Sequence, residues 1–95
     1  MIDSPLRQAR RLSIEALAGA AEDAVLDDQP GQHTEKALAG FLALLTGYEA
    51  AVKATTSSTS AVYAFRDLPG DEAGPYAKAK HLIGILQALY GPKAA

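Results

Sequence analysis

The chain contains no cysteine and no tryptophan, and the first absence already excludes several kinds of chemistry. Without thiols it forms no disulfide, uses no thiolate nucleophile and binds no metal through sulfur, so the fold depends on packing alone. Aromatic residues are scarce, at 6%, whereas alanine and leucine supply much of the 48% hydrophobic content. Because both residues favour helix over sheet, the composition predicts a helical protein.

A strong charge of either sign is also missing, since the formal net charge is -2 and the pI is about 5.5. This balance gives no basic field for a phosphate backbone, so we do not expect nucleic acid as the main partner. The sequence has no basic region followed by an apolar run at its start and no continuous apolar run of about eighteen residues. We therefore expect a protein with no membrane span that is cytoplasmic, or is exported by a route that leaves no such signal.

The length of 95 residues predicts one domain over residues 1–95. A chain of this size buries on folding only about 60 to 65% of the surface that its unfolded form exposes, so its margin of stability is narrow. A partner subunit would add to that stability.

The strongest pattern in the chain runs from Thr34 to Thr56, where apolar residues recur at steps of three and four. This spacing places them on one side of a helix, so the segment predicts a core helix. The Tyr48 hydroxyl is the only polar group on that side. The stripe consists of Leu38, Phe41, Leu42, Leu45, Tyr48 and Val52, widened by Ala37, Leu44 and Ala51.

Capping and turn residues divide the chain into helices over about residues 5–26, 34–55, 60–68 and 75–90. Ser4 and Pro5 are suited to begin the first helix, and Thr34 is suited to cap the second. The fold class is therefore all-α: a small antiparallel helical bundle of three long helices plus one short helix.

The last two helices are bounded by proline and glycine. The short segment 60–68 contains Val and Tyr, which also suit a strand, but the chain has no second strand to pair with it. Pro69-Gly70 and Gly74-Pro75 are expected to bracket an acidic loop, so the last helix should start near Pro75. Gly91, in a left-handed conformation, and the proline that follows it should end that helix.

Arg7, Arg10 and Arg11 lie in the opening turns of the first helix, where the helix dipole already presents positive partial charge. Two interpretations remain open. The three guanidinium groups form a docking site for an acidic partner or a phosphate, or they are paired within the fold by acidic residues such as Asp3, Glu15, Asp71 and Glu72.

The outer side of the central helix is unusual because it carries mostly alanine and glycine where polar residues are expected. Glycine inside a helix costs about 1 kcal/mol relative to alanine, so Gly40 and Gly47 need a reason such as close approach of another helix. That helix belongs either to this chain or to a second subunit. The candidate interaction surface comprises Gly40, Ala43, Gly47 and Ala50 with Leu12 and Ala16 of the first helix.

No set of residues has the spacing that catalysis or metal binding requires. His33 and His81 each lack a second histidine or a carboxylate three or four residues away, and Glu15 with Glu22 lacks a matching Glu-x-x-His. The Ser/Thr tract at 55–60 is better explained as a helix end than as a nucleophile. We therefore expect no catalytic site, no metal and no cofactor.

A helix-turn-helix is the remaining motif to weigh, with residues 62–68 and the last helix on either side of a turn. The turn is too long, and the last helix has no Arg or Asn in its first turn to contact base edges.

These observations predict a non-enzymatic protein-interaction module, in an adaptor, chaperone-like or inhibitor role, that binds a protein partner or itself as a homodimer. The alternative is a small nucleic-acid-binding regulator that uses the Arg7, Arg10 and Arg11 cluster. An enzyme of unknown class is the third hypothesis.

Overall fold

Three helices make up the part of the chain that the computed structural model describes, which is residues 5–29, 31–55, 65 and 68–91. Helix α1 is Pro5–Val25, α2 is Gln32–Thr55 and α3 is Gly70–Tyr90. No strand occurs in these residues. The prediction of an all-helical fold is confirmed, and α1 ends one residue earlier than predicted.

The helices run up, down and up. Arg10 near the start of α1 contacts Glu72 near the start of α3, and Glu22 near the end of α1 contacts Lys78 further along α3, so α1 and α3 are parallel. Helix α2 runs the opposite way, because Tyr48 in its second half reaches Glu72 at the start of α3. The first turns of α1 and α3 and the last turns of α2 therefore share one end of the bundle.

The core is formed by apolar side chains from all three helices. Its fully buried large side chains are Ile14 of α1, Val52 of α2, and Ile83 and Leu86 of α3. Leu17, Ala18 and Ala21 of α1 and Leu38 and Tyr48 of α2 complete it, with Ala79 of α3.

The middle of the α2 stripe is less covered than its period predicts. Phe41, Leu42 and Leu45 are only partly buried and pack against the edge of the core. Helical period reports which residues share a side, whereas coverage depends on how closely the neighbouring helices approach. Phe41 and Leu45 therefore lie on the predicted side of α2 but are less buried than Leu38, Tyr48 and Val52.

Thr34 does not cap α2, which begins at Gln32. The Thr34 hydroxyl accepts a hydrogen bond from the Gly31 N–H at 3.1 Å, and the Thr34 N–H donates to the Gly31 carbonyl at 2.9 Å. This is one half of a capping box: the side chain of Thr34, at the third helical position, accepts from the N–H of the cap residue Gly31, which has no side chain to accept from the Thr34 N–H in return. Its burial follows, since the side chain points back to the turn.

Helix α3 begins at Gly70, five residues before the predicted start at Pro75. The N–H groups of Glu72 and Ala73 donate to the Pro69 carbonyl at 2.9 and 2.8 Å. The expected acidic loop is therefore the first turn of the helix, and Pro75 lies inside it. The carboxylates of Asp71 and Glu72 are stabilised at a helix N-terminus and also form ion pairs with α1. Together these two effects outweigh the turn signal of Gly74-Pro75.

Gly91 ends α3 as predicted, but it is extended rather than left-handed, with φ -69° and ψ 168°. Its N–H donates to the Gln87 carbonyl at 3.0 Å. A Cβ at this position would lie 2.5 Å from the Gln87 carbonyl oxygen, so glycine is required by close approach to the backbone. The reason for the glycine thus differs from the predicted one.

Two further predictions fall largely outside the described residues. The Ser4 cap of α1 lies there, as does the short helix at 60–68, of which the structure describes only Phe65 and Leu68.

Candidate functional site

A buried carboxylate occupies the end of the bundle where the starts of α1 and α3 meet. The side chain of Glu72 is fully buried, with 0% of its surface exposed. The Arg10 guanidinium binds it with two hydrogen bonds, one from Nε to Oε1 and one of 2.9 Å from Nη2 to Oε2. The Tyr48 hydroxyl donates to Oε1 at 3.2 Å. One residue from each helix therefore meets at this carboxylate.

The other two arginines lie at the rim of this network. Arg7 donates to Asp71 Oδ1 at 2.7 Å, and its Nε lies 3.5 Å from Glu72 Oε2. Arg11 lies 3.4 Å from Glu15 and 3.8 Å from Asp71. The three arginines are therefore paired within the fold, as the second interpretation of the cluster proposes. Asp71, Glu72 and Glu15 are the acidic partners among the described residues.

The network shifts the pKa values of its members in directions that fit this geometry. Hydrogen bonding to Glu72 raises the pKa of Arg10, against a smaller lowering by burial. Burial, and then the charge of Glu72, raise the pKa of the Tyr48 hydroxyl well above its usual value. Both shifts favour the protonated forms of Arg10 and Tyr48, which are the forms that donate hydrogen bonds to the Glu72 carboxylate.

A second tyrosine extends the polar layer. The Tyr76 hydroxyl donates to Glu49 Oε2 at 2.6 Å, and its ring lies 5.4 Å from that of Tyr48. Burial and this hydrogen bond raise the pKa of Tyr76. Helices α2 and α3 are thus joined by a second tyrosine–glutamate contact beside the first.

An open apolar groove lies beside the network, between α1 and α2, with a volume of about 390 Å³. Arg10 and Tyr48 form part of its wall. The rest is lined by Leu6, Ala9 and Ser13 of α1 and by Ala43, Leu44, Gly47 and Ala51 of α2. Leu6 is 72% exposed and Leu44 is 56% exposed. Two large, exposed apolar side chains, one from each helix, therefore line the same groove.

The predicted interaction surface is only partly brought together. On α2, Gly40, Ala43, Gly47 and Ala50 are all exposed, and Ala43 and Gly47 line the groove. On α1, Leu12 and Ala16 are exposed but lie outside the groove lining. The helical pattern of α1 places Leu6 on its main apolar stripe, whereas the structure leaves it exposed beside the groove.

The two glycines of α2 have no packing reason within the described part of the chain. A Cβ built on Gly40 or Gly47 would meet nothing there within 4 Å. The same holds for Gly19 of α1 and Gly84 of α3, so open glycines alone do not mark a surface. What distinguishes the α2 side is the groove that it forms with α1, because Gly47 lines that groove together with Ala43 and Leu44.

The histidines do not form a site in the described residues. His33 Nε2, in the first turn of α2, lies 2.8 Å from Oδ2 of Asp27 in the α1–α2 loop, and His81 is exposed on α3. The contact with His33, and then a hydrogen bond from the Gln29 N–H, lower the pKa of Asp27. In the same part of the chain, no group of three or more potential ligands is placed to hold a metal ion.

The segment 32–54 of α2 is long enough and apolar enough to cross a bilayer. Only 17% of its most apolar 18-residue stretch is buried in the bundle. A core helix of a soluble bundle meets the same criterion, so the composition of α2 does not choose between the two. What it does establish is that few residues of this apolar helix are fully buried.

Sequence reasoning missed the two features that organise this end of the bundle. Glu72 was expected in a loop, although the lone Tyr48 hydroxyl on the apolar stripe was a signal that a polar partner lies opposite. Leu6 and Leu44 were assigned to packing stripes. Comparison with known proteins gives no further guide, because no family model, curated protein or solved structure matches the chain.

Proposed function

We propose that this protein is a non-enzymatic interaction module that associates with itself or a protein partner through one surface. That surface, the α2 face, consists of the groove-lining residues Leu6, Ala9, Ala43, Leu44, Gly47 and Ala51 together with Gly40 and Ala50. The observation that carries the proposal is the exposure of this apolar helix in a small bundle. Such a patch on a monomer typically marks a contact site.

The α2 face is chemically uniform, which indicates the kind of partner. The residues that define it are uncharged, and the charged side chain in the groove wall, Arg10, is paired with Glu72, so charge contributes little to binding there. Its small side chains allow a partner helix to approach closely, and Leu6 and Leu44 supply apolar contact area. An apolar helical surface of another protein meets these requirements.

Nucleic acid binding through the arginine cluster is the weaker alternative. Three guanidinium groups face three carboxylates, from Glu15, Asp71 and Glu72, so the cluster offers little net positive charge to a phosphate. Retention on a nucleic-acid column that falls steeply with salt would favour this alternative.

Insertion of α2 into a membrane is also weaker, because it would break contacts on the other side of the helix. Tyr48 and Glu49 are hydrogen-bonded to Glu72 and Tyr76 of α3, and separating them would leave polar groups unpaired in lipid. Flotation of the protein with uncharged lipid vesicles would overturn this view, and we expect none. We therefore propose a cytoplasmic protein.

Gly47→Glu tests the proposal. A charged side chain in the centre of the α2 face should block docking, while the added Cβ meets no described atom and the core is untouched. The variant should remain helical by circular dichroism and show a lower mass than the wild type in sedimentation equilibrium. Gly84→Glu is the matched control, since it adds the same charge at an equally open helical glycine of α3.

A second matched pair separates the groove from the rest of α1. Leu44 and Leu12 are each 56% exposed, but only Leu44 lines the groove. Leu44→Glu should reduce the mass, and Leu12→Glu should not. Equal effects of both substitutions would extend the surface to Leu12 and Ala16, and no effect of either would remove the α2 face as the contact site.

We also propose that Phe65 and Leu68 belong to the fourth, short helix expected at 60–68. Two contacts support this: the Leu68 N–H donates to the Phe65 carbonyl at 3.4 Å, and the Phe65 ring stacks on Tyr76 at 5.4 Å.

A further inference from the structure

We draw no further inference here: the strongest candidate, the open apolar groove between α1 and α2 that Leu6 and Leu44 line, carries nothing beyond the proposed function, because nothing in the structure shows what covers it.

Discussion

Replacing Glu72 by glutamine removes the charge at the centre of the polar network while nearly preserving its volume. In the wild type this buried carboxylate accepts two hydrogen bonds from Arg10 and one from Tyr48, and Arg7 is 3.5 Å away. A glutamine amide offers one acceptor oxygen and presents its NH₂ group to donors. The largely buried Arg10 guanidinium then loses the charge of Glu72.

Breaking a buried ion pair by removing one partner typically costs about 3 to 5 kcal/mol. We expect this range for Glu72→Gln because the carboxylate is fully buried and only 11% of the Arg10 side chain is exposed. The total stability of a small domain is about 5 to 15 kcal/mol, so the loss should be a large fraction of it. Urea unfolding followed by circular dichroism measures it, at one protein concentration for all variants.

Glu22→Gln provides the control for this measurement. Glu22 lies 2.6 Å from Lys78, but about half of each side chain is exposed, and exposed pairs contribute about 0 to 1 kcal/mol. A loss for Glu72→Gln within about 1 kcal/mol of the control would refute the role of Glu72 as the clasp between α1 and α3. Arg10→Ala should be similarly damaging, and the double variant should cost less than the sum of the two.

Three further predictions concern the core, the end of α3 and alkaline pH. Ile83→Ala should lower the free energy of unfolding in urea by about 2 to 5 kcal/mol. Phe41→Ala should lower it by less, although it removes more atoms, because Phe41 is only partly buried. A larger loss for Phe41→Ala than for Ile83→Ala would show that Phe41 belongs to the core. Gly91→Val should lower the free energy of unfolding by about 1 to 3 kcal/mol because its Cβ collides with the Gln87 carbonyl. No change in stability would mean that the backbone at the end of α3 shifts to accommodate the side chain at no cost. Tyr48 and Tyr76 should ionise only above pH 10, the ordinary pKa of tyrosine, and since their folded pKa values are raised, stability should be constant below that pH and fall as pH rises above it. Tyrosinate absorbance near pH 10 from both residues in a still-helical protein would contradict this.

The helices themselves could be predicted from the sequence because their signal is local. Apolar residues at steps of three and four, with proline or glycine near the ends, are enough to identify α1, α2 and α3 within a few residues. How far an apolar stripe is buried is not a local property, because it depends on the neighbouring helices. The pattern alone therefore predicts more burial for Phe41 and Leu6 than the structure has.

The polar network could be anticipated only as one of two possibilities. Arg10 and Glu72 are 62 residues apart, so no spacing rule connects them, and the acidic residues were expected in a loop. The parallel arrangement of α1 and α3 brings their first turns together, and the carboxylates of α3 then form ion pairs with the arginines of α1. That placement also explains why α3 begins at Gly70.

The α2 face was accessible to sequence reasoning through its composition, since alanine and glycine replace the polar residues expected on an exposed side. The groove was not, because it is formed by two helices together. Leu6 and Leu44 become neighbours across it only when α1 and α2 are packed.

Sedimentation equilibrium of the wild type over a range of protein concentrations tests the central claim most directly. If the α2 face is a self-association surface, the mass should rise with concentration from that of one chain, 9.9 kDa, towards that of two. A mass of one chain up to high micromolar concentration would contradict self-association and leave the α2 face without its proposed partner.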